Sequence, residues 1–314
     1  MLYVPYDEVF RLLDPKTCVG LMRDTLLALE EGVSRQYLRT WVRLPDDDIL
    51  GLMPAYLNDK VMGVKAISIF HHNTAKGLPS HQGLVLLFCS ETGAPLCAVD
   101  GNAITQIRTG AVSAVATDLL ARPDACKLAL IGSGAQARSH LLAIREVRCL
   151  SKVSVYDSNL AFAANFASWA LAEAGVHVEV AASVSAATAD ADIICTLTPS
   201  ATPVLHLADV SAGAHINAVG ASTATNRELS SDLARQARFF GDRKESVMNE
   251  AGDFLIPLGE GAYDADHFLG ELGELISGKV KGRLESDDIT IFESLGLAVE
   301  DLAAALYVYQ QVVG

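Results

Sequence analysis

The segment LALIGSGAQA, residues 128–137, has the residue types and spacing of a dinucleotide-binding turn. Gly132 allows a tight turn after an apolar run, Gly134 lets the backbone approach a pyrophosphate, and Ala137 lets a helix lie close to the strand. The first N–H groups of that helix and the positive end of its dipole would bind the phosphates. The turn therefore predicts a bound dinucleotide, and the alternative is a purely structural turn.

An acidic residue follows at the distance that such a turn requires. The run KVSVYD ends in Asp157, which lies 25 residues after Gly132. A carboxylate at this place accepts hydrogen bonds from the hydroxyls of the adenosine ribose and repels a 2′-phosphate. No arginine follows it in YDSNLAF. NAD(H) is favoured, NADP(H) stays an open alternative, and Asp157 could also be an ordinary residue at a strand end.

The second half of the chain alternates between short apolar runs and intervals that are mostly long enough for helices. The runs are KLALIGSG, KVSVYD, HVEVAAS, DIICTLTP, HINAVGAS and RFFGDR. Parallel strands need long crossovers and are buried on both faces. This pattern predicts an α/β fold with a Rossmann-type, doubly wound parallel sheet over residues 122–285.

The two ends of the chain have a different pattern. Asp14 and Pro15 resemble the N-cap and first position of a helix. Between about residues 38 and 100, the runs VMGVKAISIF, GLVLLFCS and APLCAVD predict antiparallel strands. The alanine-rich stretch 102–121 predicts a helix that joins the two halves, since Pro123 lies just beyond it.

The last segment, from Ile291 onward, predicts a helix that packs back onto the first part of the chain. Its apolar stripe consists of Leu295, Val299, Leu302 and Leu306. We therefore expect a mixed α+β domain formed by residues 1–121 and 286–314.

The composition of the chain limits which binding partners and which cellular location we expect. The chain has 314 residues and a formal net charge of −14, so no basic stripe is available for nucleic acid. It has neither a secretory signal nor about 18 uninterrupted apolar residues, so no membrane association is expected. The six scattered cysteines fit reduced thiols in the cytoplasm. His71 and His72 lack further ligands nearby, so no metal site is predicted.

Seven motifs in order resemble the ornithine cyclodeaminase/mu-crystallin family. They run from Gln36 to Ala304 and read RTWVRLPDDDILGLMPAY, VKAIS, LPSHQGLVLLF, DGNAITQIRTGAVSAVAT, IGSGAQARSH, HINAVGAS and FESLGLAVEDLAAA. The resemblance implies a substrate-binding and dimerisation domain around a Rossmann domain. It also implies a homodimer, and reactions at the α-carbon of amino acids or cyclic imino acids.

The same resemblance assigns site residues by matched position. Arg39 and Lys65 would hold the substrate carboxylate, and Arg108 would bridge that carboxylate and the nicotinamide end of the cofactor. Lys65 and Arg108 are thus the catalytic candidates, and Gly296 joins Arg39, Lys65 and Arg108 in binding substrate. With Arg108, the glycines of the turn and Asp157, the matched cofactor residues are Ser80, Thr109, Ala135, Gln136, Thr196, Thr198, Ile216, Asn217, Ala218, Val219, Ser222 and Leu295.

Physical chemistry supports the cationic trio independently. Arginine can bind both oxygens of a carboxylate, and lysine adds a mobile point charge. Lys65 lies inside an apolar strand, where an unpaired ammonium would be costly. Arg39 and Arg108 have an alternative as solvated surface charges. His81 is a candidate general acid, although a hydrogen-bonded structural histidine is the favoured interpretation.

Two departures from the cyclodeaminases bear on the reaction. Those enzymes carry an aspartate where Ser222 stands and a glutamate where Gly51 stands. Without these carboxylates, cyclisation of ornithine lacks its base and its recognition group. The sequence therefore favours an NAD(P)H-dependent reductase of a cyclic ketimine such as pyrroline-2-carboxylate, or an alanine-type dehydrogenase. Ornithine cyclodeaminase and a non-catalytic mu-crystallin-like protein that binds NAD(P) and a small aromatic acid remain alternatives.

Overall fold

Two β-sheets organise the residues that the computed structural model describes, which are 1–70, 72–73 and 76–314. Each sheet belongs to its own unit of the chain. The first unit contains Met1–Arg108 and Gly296–Gly314, and the second contains Thr109–Leu295.

The first sheet is largely antiparallel, as the runs between residues 38 and 100 predict. Its strand order is β1-β7-β6-β5-β4-β2, and β3 also pairs with β4. Strands β4 to β7 pair antiparallel in sequence order, whereas β1 pairs with β7 in parallel. The strands are β1 (Leu2–Val4), β2 (Arg35–Gln36), β3 (Thr40–Arg43), β4 (Ile49–Leu57), β5 (Val61–Ile69), β6 (His81–Cys89) and β7 (Pro95–Asp100).

Helices cover the face of this sheet that carries Lys65. They are α1 (Tyr6–Leu12), α2 (Pro15–Glu30) and α11 (Ala298–Val313), and α3 (Gly101–Leu120) follows directly on β7. Asp14 caps α2 as expected, because its carboxylate accepts the N–H of Thr17 at 2.9 Å. Helix α11 packs on β4, β5 and β6, and α2 packs on α11.

The second sheet confirms the doubly wound prediction. Its order is β10-β9-β8-β11-β12-β15-β13-β14, and every neighbouring pair is parallel. The strands are β8 (Lys127–Ile131), β9 (Lys152–Tyr156), β10 (Glu179–Val180), β11 (Ile193–Thr196), β12 (His215–Ala218), β13 (Arg238–Gly241), β14 (Phe268–Glu271) and β15 (Thr290–Glu293).

Helices alternate with these strands. They are α4 (Ala135–Ile144), α5 (Leu160–Ala174), α6 (Val184–Thr188), α7 (Ser231–Gln236), α8 (Lys244–Glu250), α9 (Gly252–Gly259) and α10 (Leu272–Ser277). The strand order reverses direction between β8 and β11, which is the switch point where ligands bind in open α/β sheets.

The C-terminal segment departs from its prediction as one continuous helix. Residues Thr290–Glu293 form β15 in the second sheet, so Leu295 precedes α11 instead of belonging to its stripe. A run of four buried residues does not have enough length for periodicity to separate strand from helix. Val299 and Leu302 do lie buried on α11.

The two units divide at different residues from the boundaries expected at 121/122 and 285/286. The first division falls inside α3, between Arg108 and Thr109. Beyond it, Ser113 contacts His140 of α4 at 2.9 Å, and a Cβ on Gly110 would lie 2.6 Å from the carbonyl oxygen of Ser139. The second part of α3 therefore packs with α4, and the assignment of a role to each unit stays a prediction.

Among the described residues, each helix is either too short or too polar to span a bilayer. All six cysteines are free thiols.

Candidate active site

The cationic candidates of the first unit meet at one carboxylate oxygen. Lys65 lies in the middle of β5, opposite Met53 of β4 and Val85 of β6. The Oδ1 atom of Asp301, on α11, accepts hydrogen bonds from Nζ of Lys65 at 3.1 Å and from Nε of Arg108 at 2.9 Å. All three side chains are buried, so the carboxylate compensates two desolvated cations at once.

The buried carboxylate of Glu300 supplies the second negative charge beside Lys65 and Arg108. Glu300 accepts a hydrogen bond from Nη1 of Arg108 at 3.0 Å and another from the backbone N–H of Leu297 at 3.0 Å. Both acids lie in the first turn of α11, where the helix dipole stabilises negative charge. Two cations and two carboxylates therefore form a compensated buried group.

Arg39 joins this group through Gly296. Its Nη2 donates to the carbonyl of Gly296 at 3.3 Å. Gly296 has a φ of +80°, and a Cβ there would lie 2.7 Å from both terminal nitrogens of Arg108. Glycine alone adopts this backbone conformation without strain and leaves room for the Arg108 guanidinium. The structure thus brings together Arg39, Lys65, Arg108 and Gly296.

Burial controls the ionisation of the lysine. It lowers the pKa of Lys65 to about 8, and the attraction of Asp301 opposes this shift. Arg108 and Arg39 lower the same pKa further because they carry like charge. Lys65 is therefore a cation at neutral pH and loses its proton in mildly alkaline solution.

The glycine-rich turn lies at the carboxyl end of β8 and fits a pyrophosphate. Gly132 has a φ of +102°, and a Cβ there would lie 2.8 Å from the carbonyl oxygen of Leu197. Gly134 is the N-cap of α4 and has open space, with nothing within 4 Å of a Cβ. Ala135 and Gln136 form the first turn of that helix, where backbone N–H groups can bind an anion.

Asp157 follows β9 and contacts the same turn. Its Oδ2 accepts hydrogen bonds from the backbone N–H of Ser133 at 3.0 Å and from the Ser133 hydroxyl at 2.6 Å. Its Oδ1 accepts the N–H of Asn159 at 2.9 Å. A carboxylate has about four lone-pair positions, so the side chain can still accept a ribose hydroxyl. The turn and this acid together fit a dinucleotide.

The remaining cofactor candidates divide by position. Thr196 and Thr198 lie at the carboxyl end of β11, beside β8, and the segment 216–219 lies at the carboxyl end of β12, beside β11, with Ser222 following. The side chain of Asn217 donates to Thr117 at 3.0 Å, and the residue is fully buried between β11 and β15. The backbone N–H of Leu295 donates to Asp242 at 2.7 Å.

Two further cofactor candidates, Thr109 and Ser80, precede the glycine-rich turn in the sequence. Thr109 is buried in α3, next to Arg108. Ser80 lies just before β6, with its hydroxyl 3.0 Å from Nδ1 of His81. The role of His81 stays a prediction.

Sequence reasoning missed Glu228. Its carboxylate accepts hydrogen bonds from the N–H of Thr198 at 2.7 Å, from the Thr198 hydroxyl at 2.6 Å and from the N–H of Gly220 at 2.7 Å. It therefore ties together the loops that follow β11 and β12. Burial raises its pKa, which these hydrogen bonds oppose. No local signal reveals it, because its partners depend on strand order.

Sequence reasoning also left Glu300 and Asp301 without a role. Here a signal exists, since two adjacent acids interrupt the otherwise apolar stretch AVEDLAAA. Buried acids are nearly always paired, so they indicate buried cationic partners.

Among the residues that the structure describes, no group of three or more His, Cys, Asp or Glu side chains could hold a metal ion. His71 lies outside the described residues, whereas His72 is within them.

Comparisons with known proteins agree with this geometry. The model of the ornithine cyclodeaminase/mu-crystallin family matches residues 6–314. The mouse ketimine reductase mu-crystallin is 41% identical over 261 residues, which cover 83% of this chain and 79% of that protein. The Delta(1)-pyrroline-2-carboxylate reductase of Bacillus cereus is 37% identical over 255 residues, which cover 81% and 78%.

A solved structure is similar over the whole chain. The Delta(1)-pyrroline-2-carboxylate reductase of Thermococcus litoralis, in complex with NADH and L-proline, superposes with a TM-score of 0.97. It is 37% identical in sequence, and the match covers 100% of this chain and 98% of that one.

The buried charge group makes a stability prediction. Asp301→Asn should lower the free energy of unfolding by about 3–5 kcal/mol, because it leaves two buried cations without their shared carboxylate. Urea denaturation at neutral pH measures this. Glu8→Gln is the matched control, since it removes an exposed partner of Arg11 and should cause no measurable change. A cost for Asp301→Asn as small as that of the control would contradict the assignment.

Proposed function

The chain belongs to the ornithine cyclodeaminase/mu-crystallin family, and from that membership we propose that it reduces the C=N bond of a cyclic ketimine carboxylate with NADH. Pyrroline-2-carboxylate is the model substrate, in keeping with the activities for which the mouse, Bacillus and Thermococcus relatives are named. The observation that carries the proposal is the convergence of Arg39, Lys65 and Arg108 around Gly296 and Asp301.

The cations of this group suit a carboxylate ligand. Lys65 and Arg108 form ion pairs with Glu300 and Asp301, and Arg39 lies beside them at Gly296. A planar carboxylate can accept two hydrogen bonds from a guanidinium. In a chain of net charge −14, this grouping of three cations distinguishes the site from the rest of the molecule.

The second unit would hold the dinucleotide. Gly132 and Gly134 leave room for the pyrophosphate at the first turn of α4, and Asp157 would accept the ribose hydroxyls. Its carboxylate would repel a 2′-phosphate, so NAD(H) is favoured over NADP(H). The nicotinamide supplies the hydride when the cofactor is bound.

The cations would contribute by orientation. A carboxylate held by Arg39, Lys65 and Arg108 fixes the attached α-carbon, and positioning of this kind accounts for several kcal/mol of a barrier. In this role Lys65 and Arg108 contact the substrate directly and are the catalytic candidates of the chain.

A panel of substrates tests the proposal. We expect steady loss of NADH absorbance with pyrroline-2-carboxylate. Binding without turnover would instead indicate a carrier of dinucleotide and ligand, and NAD-dependent turnover of alanine alone would indicate the alanine-type dehydrogenase. Formation of proline and ammonia from ornithine would show that Ser222 and Gly51 do not exclude cyclodeaminase chemistry.

Arg39→Ala separates the two ligands. Loss of one charge-assisted contact should cost about 2 kcal/mol, or about 30-fold in KM for the imine, while the Kd for NADH stays unchanged. Steady-state kinetics and NADH fluorescence measure the two constants. Arg43→Ala, which removes an exposed arginine four residues away, is the matched control and should change neither. Equal effects of Arg39→Ala on both constants would contradict the assignment.

The ionisation of Lys65 predicts a pH dependence. Because the pKa of Lys65 is lowered to about 8, the cation is present below that pH and is lost above it. We expect kcat/KM for the imine to fall about tenfold per pH unit above this value. Lys65→Arg keeps its charge over this range and should lose the alkaline fall, although its rate will be lower. A fall that persists in Lys65→Arg would assign it to another group.

We also propose that the protein is a cytoplasmic homodimer. The reduced thiols fit a cytoplasmic location. The sheet face opposite α11 supports dimerisation, since it carries the apolar rows Leu52, Ala66 and Leu84, and Pro54, Val64 and Leu86. Isologous pairing of one apolar patch is the usual route to a dimer.

Light scattering after size exclusion tests the dimer. Leu84 is 37% exposed, and Leu84→Glu should yield monomers, because it places a charge in the proposed interface. Leu160→Glu alters a more exposed leucine of α5, at 59%, and should leave the dimer intact. A monomeric wild-type chain, or a dimer that survives Leu84→Glu, would contradict the proposed interface.

A further inference from the structure

Trp41 occupies the space above Gly51. The two residues are directly paired between β3 and β4. A Cβ on Gly51 would lie 2.6 Å from Cζ3 and 3.0 Å from Cε3 of Trp41, and 3.1 Å from Cγ2 of Ile67. Real Cβ atoms do not show a contact of 2.6 Å, so any side chain at residue 51 must displace the indole. The absence of a side chain at Gly51 is thus what lets the indole rest on the sheet.

The indole lies on the sheet face that carries Lys65. Gly51 pairs with Ile67, and Met53 pairs with Lys65. Directly paired residues share a face, and so do alternate residues along a strand. Gly51 and Ile67 therefore lie two residues along their strands from Met53 and Lys65, on the same face of the sheet. Trp41 covers this face at Gly51.

The indole also lies beside Arg39. The guanidinium carbon of Arg39 lies 5.6 Å from the centroid of the Trp41 ring, within the range of a cation–π contact. Trp41 nevertheless keeps 36% of its surface exposed. The exposed part of the indole therefore offers aromatic surface beside Arg39.

We propose that Trp41 is the specificity-determining wall of the substrate site, against which the ring of the imine packs when its carboxylate is bound. This inference rests on the proposed ketimine reductase function. The wall favours a compact, uncharged ring, since the indole offers apolar contact and takes up the space that a bulkier substituent would need.

Charge works in the same direction. A second ammonium group on the substrate would face the like charges of Arg39 and Lys65. Diamino acids are therefore poor ligands of this wall, and unsubstituted five- or six-membered cyclic imino acids are good ones.

Two substitutions act on the wall without removing a cation. Trp41→Ala deletes the indole. Gly51→Ala leaves the indole in the chain but places a Cβ where its six-membered ring lies. Trp41→Phe is the conservative control, because a smaller aromatic ring still covers part of the same surface.

The first test compares two substrates in each variant. We expect Trp41→Ala to lower the ratio of kcat/KM for pyrroline-2-carboxylate over that for a ring-substituted six-membered ketimine carboxylate at least tenfold. Gly51→Ala should shift the ratio the same way, and Trp41→Phe should keep it within threefold. The Kd for NADH, measured by fluorescence, should stay unchanged and shows that each variant is folded. If the ratio stays within threefold of the wild-type value in both Trp41→Ala and Gly51→Ala, the proposed role of Trp41 is wrong.

The second test needs no catalysis, so it distinguishes failure of the wall from failure of the reductase. The chain has two tryptophans, and the other, Trp169, lies in α5 of the second unit against Arg138. In a Trp169→Phe variant, pyrrole-2-carboxylate should change the emission of Trp41 saturably, and adding Arg39→Ala should weaken that binding at least tenfold. Binding seen by calorimetry with unchanged Trp41 emission, or no binding at all, overturns the inference. A saturable emission change without imine turnover would instead support the proposed role of Trp41 and contradict the proposed reductase function.

Discussion

A single carboxylate oxygen, Oδ1 of Asp301, makes the rest of the site feasible. It accepts hydrogen bonds from Lys65 and Arg108, two cations that are almost completely removed from water. Isolated charges of this kind would be neutralised or would unfold the surrounding structure. With Asp301 and Glu300 beside them they stay charged, and the first turn of α11 stabilises both acids through its dipole. The C-terminal helix is therefore an electrostatic part of the first unit as well as part of its core.

This arrangement groups three cations around two acids. Glu300 and Asp301 accept hydrogen bonds from Lys65 and Arg108, and Arg39 joins them through the carbonyl of Gly296. Gly296 serves because its positive φ and missing side chain let two guanidinium groups approach one backbone segment. Trp41 then supplies apolar surface next to the charge.

Local patterns in the sequence predict the features that depend on neighbouring residues. The turn at Gly132, the acid at Asp157 and the alternation of strands predict the parallel sheet, and Asp14 predicts the start of α2. Lys65 in an apolar strand indicates a buried partner, but that partner, Asp301, is 236 residues away. Glu228 and the pair of Trp41 with Gly51 are hidden for the same reason, since strand order and register decide their contacts. Strand β15 is too short for its periodicity to separate it from the helix that follows.

A crystal structure of the protein with NADH and a cyclic imino-acid carboxylate such as L-proline tests the proposed site most directly. We expect the carboxylate of the ligand to contact Arg39, Lys65 and Arg108 while Asp301 keeps its hydrogen bonds to Lys65 and Arg108. A carboxylate bound away from these three side chains, or a Lys65 that leaves Asp301 and turns into solvent, would contradict the proposed site.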